Sequence, residues 1–116
     1  MSQTQDTLNH HLQSFGGGDI DAIVSDYTED SVILFESNLI TGLDNIRAFF
    51  DDFITNTLPP GCEFDMKHMQ VVDDIAYIAW TAGTDALDFK LGTDTFIIKD
   101  GKIVQQTVAA HVEPKS

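Results

Sequence analysis

Apolar residues recur along the first half of the chain at helical spacing and along the second half in short alternating runs. Leu8, Leu12 and Phe15 stand at i, i+4 and i+7, one face of a helix that three low-propensity glycines at 16 to 18 bring to an end. Asp19 can cap a second helix with Ile20, Ile23, Val24 and Tyr27 on one side, so the two helices form a hairpin. Ser31 to Glu36 (SVILFE) is β-branched and aromatic and predicts a strand. In TGLDNIRAFFDDF the residues Ile46, Phe49, Phe50, Phe53 and Ile54 return to helical spacing, with Thr41 or Asp44 available at the amino-terminal end. Leu58-Pro59-Pro60-Gly61 stops that helix, because proline cannot continue it. Four further strands are expected over Glu63 to Val72, Ile75 to Thr84, Leu87 to Lys99 and Lys102 to Val112, with tight turns at Asp73-Asp74 and Asp100-Gly101. The expected fold is α+β in one domain: three helices packed on a curved, mainly antiparallel sheet, enclosing a conical space.

Composition narrows the partners. The 116 residues carry 6 Lys plus Arg against 19 Asp plus Glu, a formal charge of −13. Such a chain repels phosphates and anionic lipid, so neither nucleic acid nor a membrane surface is an expected partner. The acids are dispersed and read as a solvated surface. Cys62, the only cysteine, excludes an internal disulfide and a cysteine-based zinc site and reads as an inert structural thiol. The first residues lack the basic start and apolar stretch of a signal peptide, and no apolar run approaches the roughly 18 residues that span a bilayer. A cytoplasmic location is expected.

A few residues stand out from this background. His11 lies about 60° from Leu8 around the first helix and turns inward, at the edge of the apolar face, while His10 turns to water. His11 is either a hydrogen-bonding or proton-transfer group at the cavity wall or a structural histidine with a satisfied partner. Asp94 shares its strand face with Phe96 and Ile98; buried, it would hold its proton to unusually high pH and could donate to a carbonyl or enolate oxygen, the alternative being a strand-end surface acid. Glu36 ends the first strand and is a general base in kind, or simply a solvated acid. Gln106, on the face of Val104, Val108 and Ala110, needs a partner and could orient a ligand. Trp80, beside Ile78 and Ala82, is core or a stacking wall for a flat ligand. His68 and His111 lie on strands without metal-ligand spacing, so no metal is expected. The glycines at 16 to 18 follow a helix and lack a Gly-Lys-Ser/Thr ending, which excludes a phosphate loop, and no cofactor motif is present.

Four strings in order, Phe15 to Ile23 (FGGGDIDAI), Tyr27 to Val32 (YTEDSV), Thr41 to Phe50 (TGLDNIRAFF) and Phe96 to Ile103 (FIIKDGKI), carry a resemblance over most of the chain. The chain resembles the NTF2-like superfamily, in its SnoaL-like and ketosteroid-isomerase-like branch. The resemblance implies a cone-shaped, cystatin-like barrel with an apolar pocket, commonly as a homodimer. In the isomerase branch a tyrosine of the first helix and a protonated aspartate on a later strand hold an oxyanion, while an aspartate ending the first strand moves the proton. Aligned on this chain, the tyrosine position falls on His11, the protonated acid on Asp94 and the base on Phe35, with Glu36 one residue further on. A one-residue offset reverses a strand side chain's face, so Glu36 replaces the base only through a bulge. The epoxide-hydrolase variant requires an Asp-Arg-Asp set, and Arg47, on the third helix, is the only arginine.

The expected function is therefore a pocket for a small, mainly apolar carbonyl- or hydroxyl-bearing molecule, with isomerisation, cyclisation or dehydration as the implied chemistries. His11, Asp94 and Glu36 are the catalytic candidates, and Phe35, Trp80 and Gln106 the substrate-binding ones. The rival is a non-catalytic dimeric binding or interaction module of the same fold.

Overall fold

The computed structural model describes residues 2–115. Helix α1 (Gln3–Gly16) opens on Ser2, whose Oγ accepts from the Gln5 N–H at 3.0 Å. Gly18 follows with φ +69°, and a Cβ there would lie 2.5 Å from Pro60 Cγ, so this turn also seats the loop that leaves the third helix. Asp19 caps α2 (Ile20–Val24) by accepting from the Ala22 N–H at 3.1 Å. The second helix has only five residues. Tyr27 does not belong to it: the Asp26 carbonyl accepts from the Ile103 N–H at 2.7 Å, which draws the chain into the sheet and makes Tyr27 the first residue of β1 (Tyr27–Phe35). Helix α3 (Leu43–Asn56) buries Ile46, Phe50 and Ile54 at helical spacing. Neither Thr41 nor Asp44 caps it; Gly42 occupies the cap position, and the Glu29 carboxylate on β1 accepts from the Leu43 N–H at 3.3 Å.

The remaining strands are β2 (Asn38–Thr41), β3 (Glu63–Val72), β4 (Ile75–Gly83), β5 (Leu87–Lys99) and β6 (Lys102–Pro114), in the sheet order β2-β1-β6-β5-β4-β3. Every pairing is antiparallel except β1 with β6. Strand β2 was not expected from the sequence, since only Leu39 and Ile40 are apolar in it; it pairs residue for residue with the end of β1. Asp73 (φ 51°) and Asp100 (φ 52°) with Gly101 (φ 75°) make the two tight hairpin turns. Register shifts in β3/β4, β4/β5 and β5/β6 bend the sheet around the helices.

The three helices cover one face, and Leu8, Ile23, Ile33, Ile46, Phe96 and Ile103 between them are fully buried. Each contributes about 1.5 to 3 kcal/mol by leaving water. On β5 the buried positions Gly92, Asp94, Phe96 and Ile98 alternate with half-buried Thr93, Thr95 and Ile97. On β6 the irregularity opposite Ile97 and Ile98 turns both Ile103 and Gln106 inward, so Val104 is not a face-mate of Gln106 as simple alternation implied. Among the described residues no helix is long and apolar enough to cross a membrane.

Candidate functional site

The inward face of α1 is the row Thr4, Thr7, Leu8, His11 and Ser14, with Leu12 and Phe15 at its margin. His11 is thus central to that face, not at its edge. Its ring meets those of Phe15, Tyr27, Phe50 and Phe96 at centroid distances of 5.3 to 6.4 Å. Its Nδ1 is buried and has no hydrogen-bond partner among the described residues. Burial first, and the neighbouring His10 second, push its pKa down to about 4. At neutral pH the ring is therefore uncharged, with one N–H to donate and one lone pair to accept.

Asp94 faces the same space from β5 and is 9% exposed. The Trp80 indole Nε1 donates to its Oδ1 at 2.9 Å and the Gln106 Nε2 donates to its Oδ2 at 2.9 Å. The Tyr27 hydroxyl in turn donates to Gln106 Oε1. An indole only donates, and a tyrosine that donates to the amide oxygen leaves the amide nitrogen facing Asp94. The carboxylate is consequently held by two donors without any formal positive charge. Desolvation raises its pKa to about 6, with the Trp80 and Gln106 hydrogen bonds pulling the other way. Burial, and then Asp94, hold the Tyr27 phenol well above its ordinary pKa.

His11, Asp94, Gln106 and Trp80 line a cavity of about 50 Å³. His11, Asp94 and Gln106 are polar against an apolar remainder that includes Phe15, Phe49, Phe50 and Phe53 from the helices and Ile78 and Val108 from the sheet. Asp94, His11, Gln106 and Trp80 are thus brought together from α1, β4, β5 and β6.

Two expected members are not there. Phe35 is half-buried and packs on Phe49 and Phe53, behind the cavity lining and not in it. Glu36 is exposed in the β1–β2 turn with φ 56°, because the short β2 hairpin takes the chain away from the cone at that residue. No bulge returns it to the wall, as β1 and β2 pair in continuous register. His10 does not simply face water: its half-exposed ring approaches both oxygens of the Asp26 carboxylate, Nδ1 lying 2.7 Å from Oδ2. His68 and His111 are exposed, and among the described residues no group of three or more ligating side chains is arranged for a metal. Tyr27, which supports Gln106 from behind the lining, is the residue that sequence reasoning placed wrongly. Its apolar neighbours suggested a helix, and the polar run Thr28 to Asp30 hid the strand that it begins.

A family model for the SnoaL-like domain matches residues 8–106. The chain belongs to the SnoaL-like domain family. No curated protein matches this SnoaL-like chain significantly. Solved structures share the fold at low identity. A candidate ketosteroid isomerase from Kribbella flavida has a TM-score of 0.79 at 15% identity, over 98% of this chain and 81% of that one. A candidate polyketide cyclase from Sinorhizobium meliloti has a TM-score of 0.71 at 18% identity, over 93% and 99%. The epoxide hydrolase/cyclase-like enzyme SalBIII, described in pyran ring formation in the polyether salinomycin, has a TM-score of 0.78 at 18% identity, over 97% and 95%. At such identities these likenesses concern the fold of the SnoaL-like domain, and chemistry has to be argued from its own residues.

Proposed function

We propose that the protein takes a small, mainly apolar molecule bearing a carbonyl or hydroxyl oxygen into the cone and moves a proton on it. The observation that carries this reading is the buried His11 Nδ1 without a partner, lining the same small cavity as a buried carboxylate, in a wall that is otherwise mainly apolar. An orphaned buried polar atom costs about 1 to 3 kcal/mol, which a ligand oxygen or hydroxyl can relieve. The neutral His11 ring can donate to a carbonyl oxygen as negative charge develops there. Asp94, with a pKa of about 6, is mainly ionised at neutral pH and still basic enough to take a proton from the adjacent carbon and return it elsewhere. Trp80 and Gln106 act on Asp94 by positioning it, and Trp80 also forms wall.

The test needs no known substrate. Small ketones incubated with the protein in D₂O should exchange their α-hydrogens faster than in buffer, read by NMR, and Asp94→Asn should lower that rate by about 100-fold or more. Absence of exchange together with absence of any thermal stabilisation by a panel of aromatic and terpenoid carbonyl compounds would sink the reading.

The cavity volume favours a second reading, a non-catalytic module whose cone is filled by its own side chains. A cavity that holds a benzene ring is about 150 Å³, three times this one.

A homodimer is part of the proposal. On the outer face of the sheet three cross-strand rows, Ile75-Ile97-Gln105, Tyr77-Thr95-Thr107 and Ala79-Thr93-Ala109, carry no charge in a chain of net charge −13. A second copy of the same face avoids the like-charge contact that the rest of the surface would impose. Sedimentation should give twice the monomer mass, and Thr93→Asp should halve it; a monomer at all concentrations would remove this element.

A further inference from the structure

Two aromatic rings of the cone wall are stacked on each other, one buried and hydrogen-bonded and the other half exposed. Trp80 is 4% exposed and its Nε1 is held by Asp94. A Cβ at Gly92 would lie 2.2 to 2.5 Å from three consecutive benzo-ring atoms of the indole, so the ring lies flat across that glycine, and Phe89 closes on it at 5.7 Å. Phe64 stacks on the same indole, with centroids 5.3 Å apart and planes 26° from parallel. Yet Phe64 is 43% exposed and comes from β3, the edge strand of the sheet. It is a member of the cavity lining and faces solvent as well.

We infer that Phe64 is a swinging cover that occupies the ligand's place, and that the ligand is a flat aromatic or conjugated ring system which displaces Phe64 and stacks on Trp80. The inference rests on the pocket reading above and specifies its substrate class. With Phe64 in place the cavity is too small for a ring. With the phenyl turned out, a place that already accommodates an aromatic ring is vacated on the face of Trp80, whose Nε1 bonds Asp94. Rotation of a half-exposed side chain about its χ angles is a fast motion that needs no backbone change. The site is also selective by shape: the indole face rewards a planar π-system, which gains stacking that a saturated ring of the same size does not. A ring held there lies in the cavity that Asp94 and His11 also line, within which an oxygen substituent can meet them.

Trp80 is the single tryptophan, so its emission reports on this position alone. The test titrates the whole protein with 2-naphthol and with its saturated counterpart 2-decalol, following tryptophan fluorescence and thermal stability. 2-Naphthol should quench Trp80 saturably and bind about tenfold more tightly than 2-decalol. Phe64→Ala and the milder Phe64→Leu should both raise the association rate of 2-naphthol several-fold without weakening its equilibrium binding, because the displaced ring is gone. Equal binding of the two alcohols, or a weaker complex in both Phe64 variants, overturns the inference and leaves the pocket reading standing. If neither alcohol nor any compound of the carbonyl panel stabilises the protein, both fall together.

Discussion

Two carboxylates are buried near α1, and they are held in opposite ways. Asp26 lies at the surface seam with the His10 Nδ1 2.7 Å away; desolvation raises its pKa, against the pull of His10 and then of Lys102. Asp94 lies inside, held by an indole and an amide that cannot titrate, in a cavity that the unpartnered His11 imidazole also lines. The Asp26 pair satisfies itself and joins α1 to the start of the sheet. The Asp94 cluster is satisfied on the protein side but sits in a cavity wall. The imidazole engages the seam carboxylate, whereas the inner one, held by two uncharged donors, keeps a face towards the cavity.

The most damaging substitution for the inner cluster should be Gly92→Ala. A methyl group over the benzo ring of Trp80 has no room, and the shift it forces breaks the Trp80–Asp94 hydrogen bond; a loss of about 3 kcal/mol is expected by chemical denaturation, against almost none for Gly16→Ala, where nothing lies within 4 Å.

Acid titration separates the cluster's two ionisable members. Asp94 has a raised folded pKa, so its contribution is fully present below about 3.8 and is lost as pH rises through about 6. His11 has a depressed folded pKa, so its contribution is present above about 6.5 and is lost as pH falls towards about 4. The two slopes oppose each other between pH 4 and 6, each on the order of 3 kcal/mol over its window. In Asp94→Asn, stability should therefore fall more steeply on acidification than in the wild type, and in His11→Phe it should fall less or rise. Parallel curves for all three proteins would mean that neither group is buried as described.

Removing the outer pair should cost less. His10→Ala leaves Asp26 partly exposed and without its partner, and about 1 kcal/mol is expected, with no effect on any ligand that binds the cone. Tyr27→Phe should be comparable in stability but distinct in function. Freed from the tyrosine, the Gln106 amide can turn its oxygen towards Asp94, which favours the protonated acid, so the Asp94 pKa read by NMR should rise. Glu36→Gln, in an exposed turn, should change stability by less than about 0.5 kcal/mol and leave proton exchange untouched.

Much of the frame was legible in the chain. Helical spacing located α1 and α3, Asp19 marked the start of α2, and the Asp-Asp and Asp-Gly turns set the hairpins, because each depends on neighbours in sequence. Periodicity alone also turned His11 and Asp94 inward and His10 outward. It could not show that His10 would find Asp26, sixteen residues away, or that Gln106 and Trp80 would converge on the two oxygens of one carboxylate. The helix placement of Tyr27 failed and Glu36 stayed open between base and solvated acid for one reason: both lie where a helix or strand ends, and the pairing that decides the end comes from elsewhere, from Ile103 in one case and from β2 in the other.

The sequence by itself determined which faces are apolar, where the chain must turn, and that the chain carries a formal charge of −13. Those properties are local or additive. Only the tertiary structure decided which polar side chains share one cavity, which of them remain unpaired, and that Phe64 covers Trp80 from the sheet edge. Burial and hydrogen bonding depend on residues brought together from distant strands, and it is their combined desolvation that moves the proton affinities of His11 and Asp94 in opposite directions.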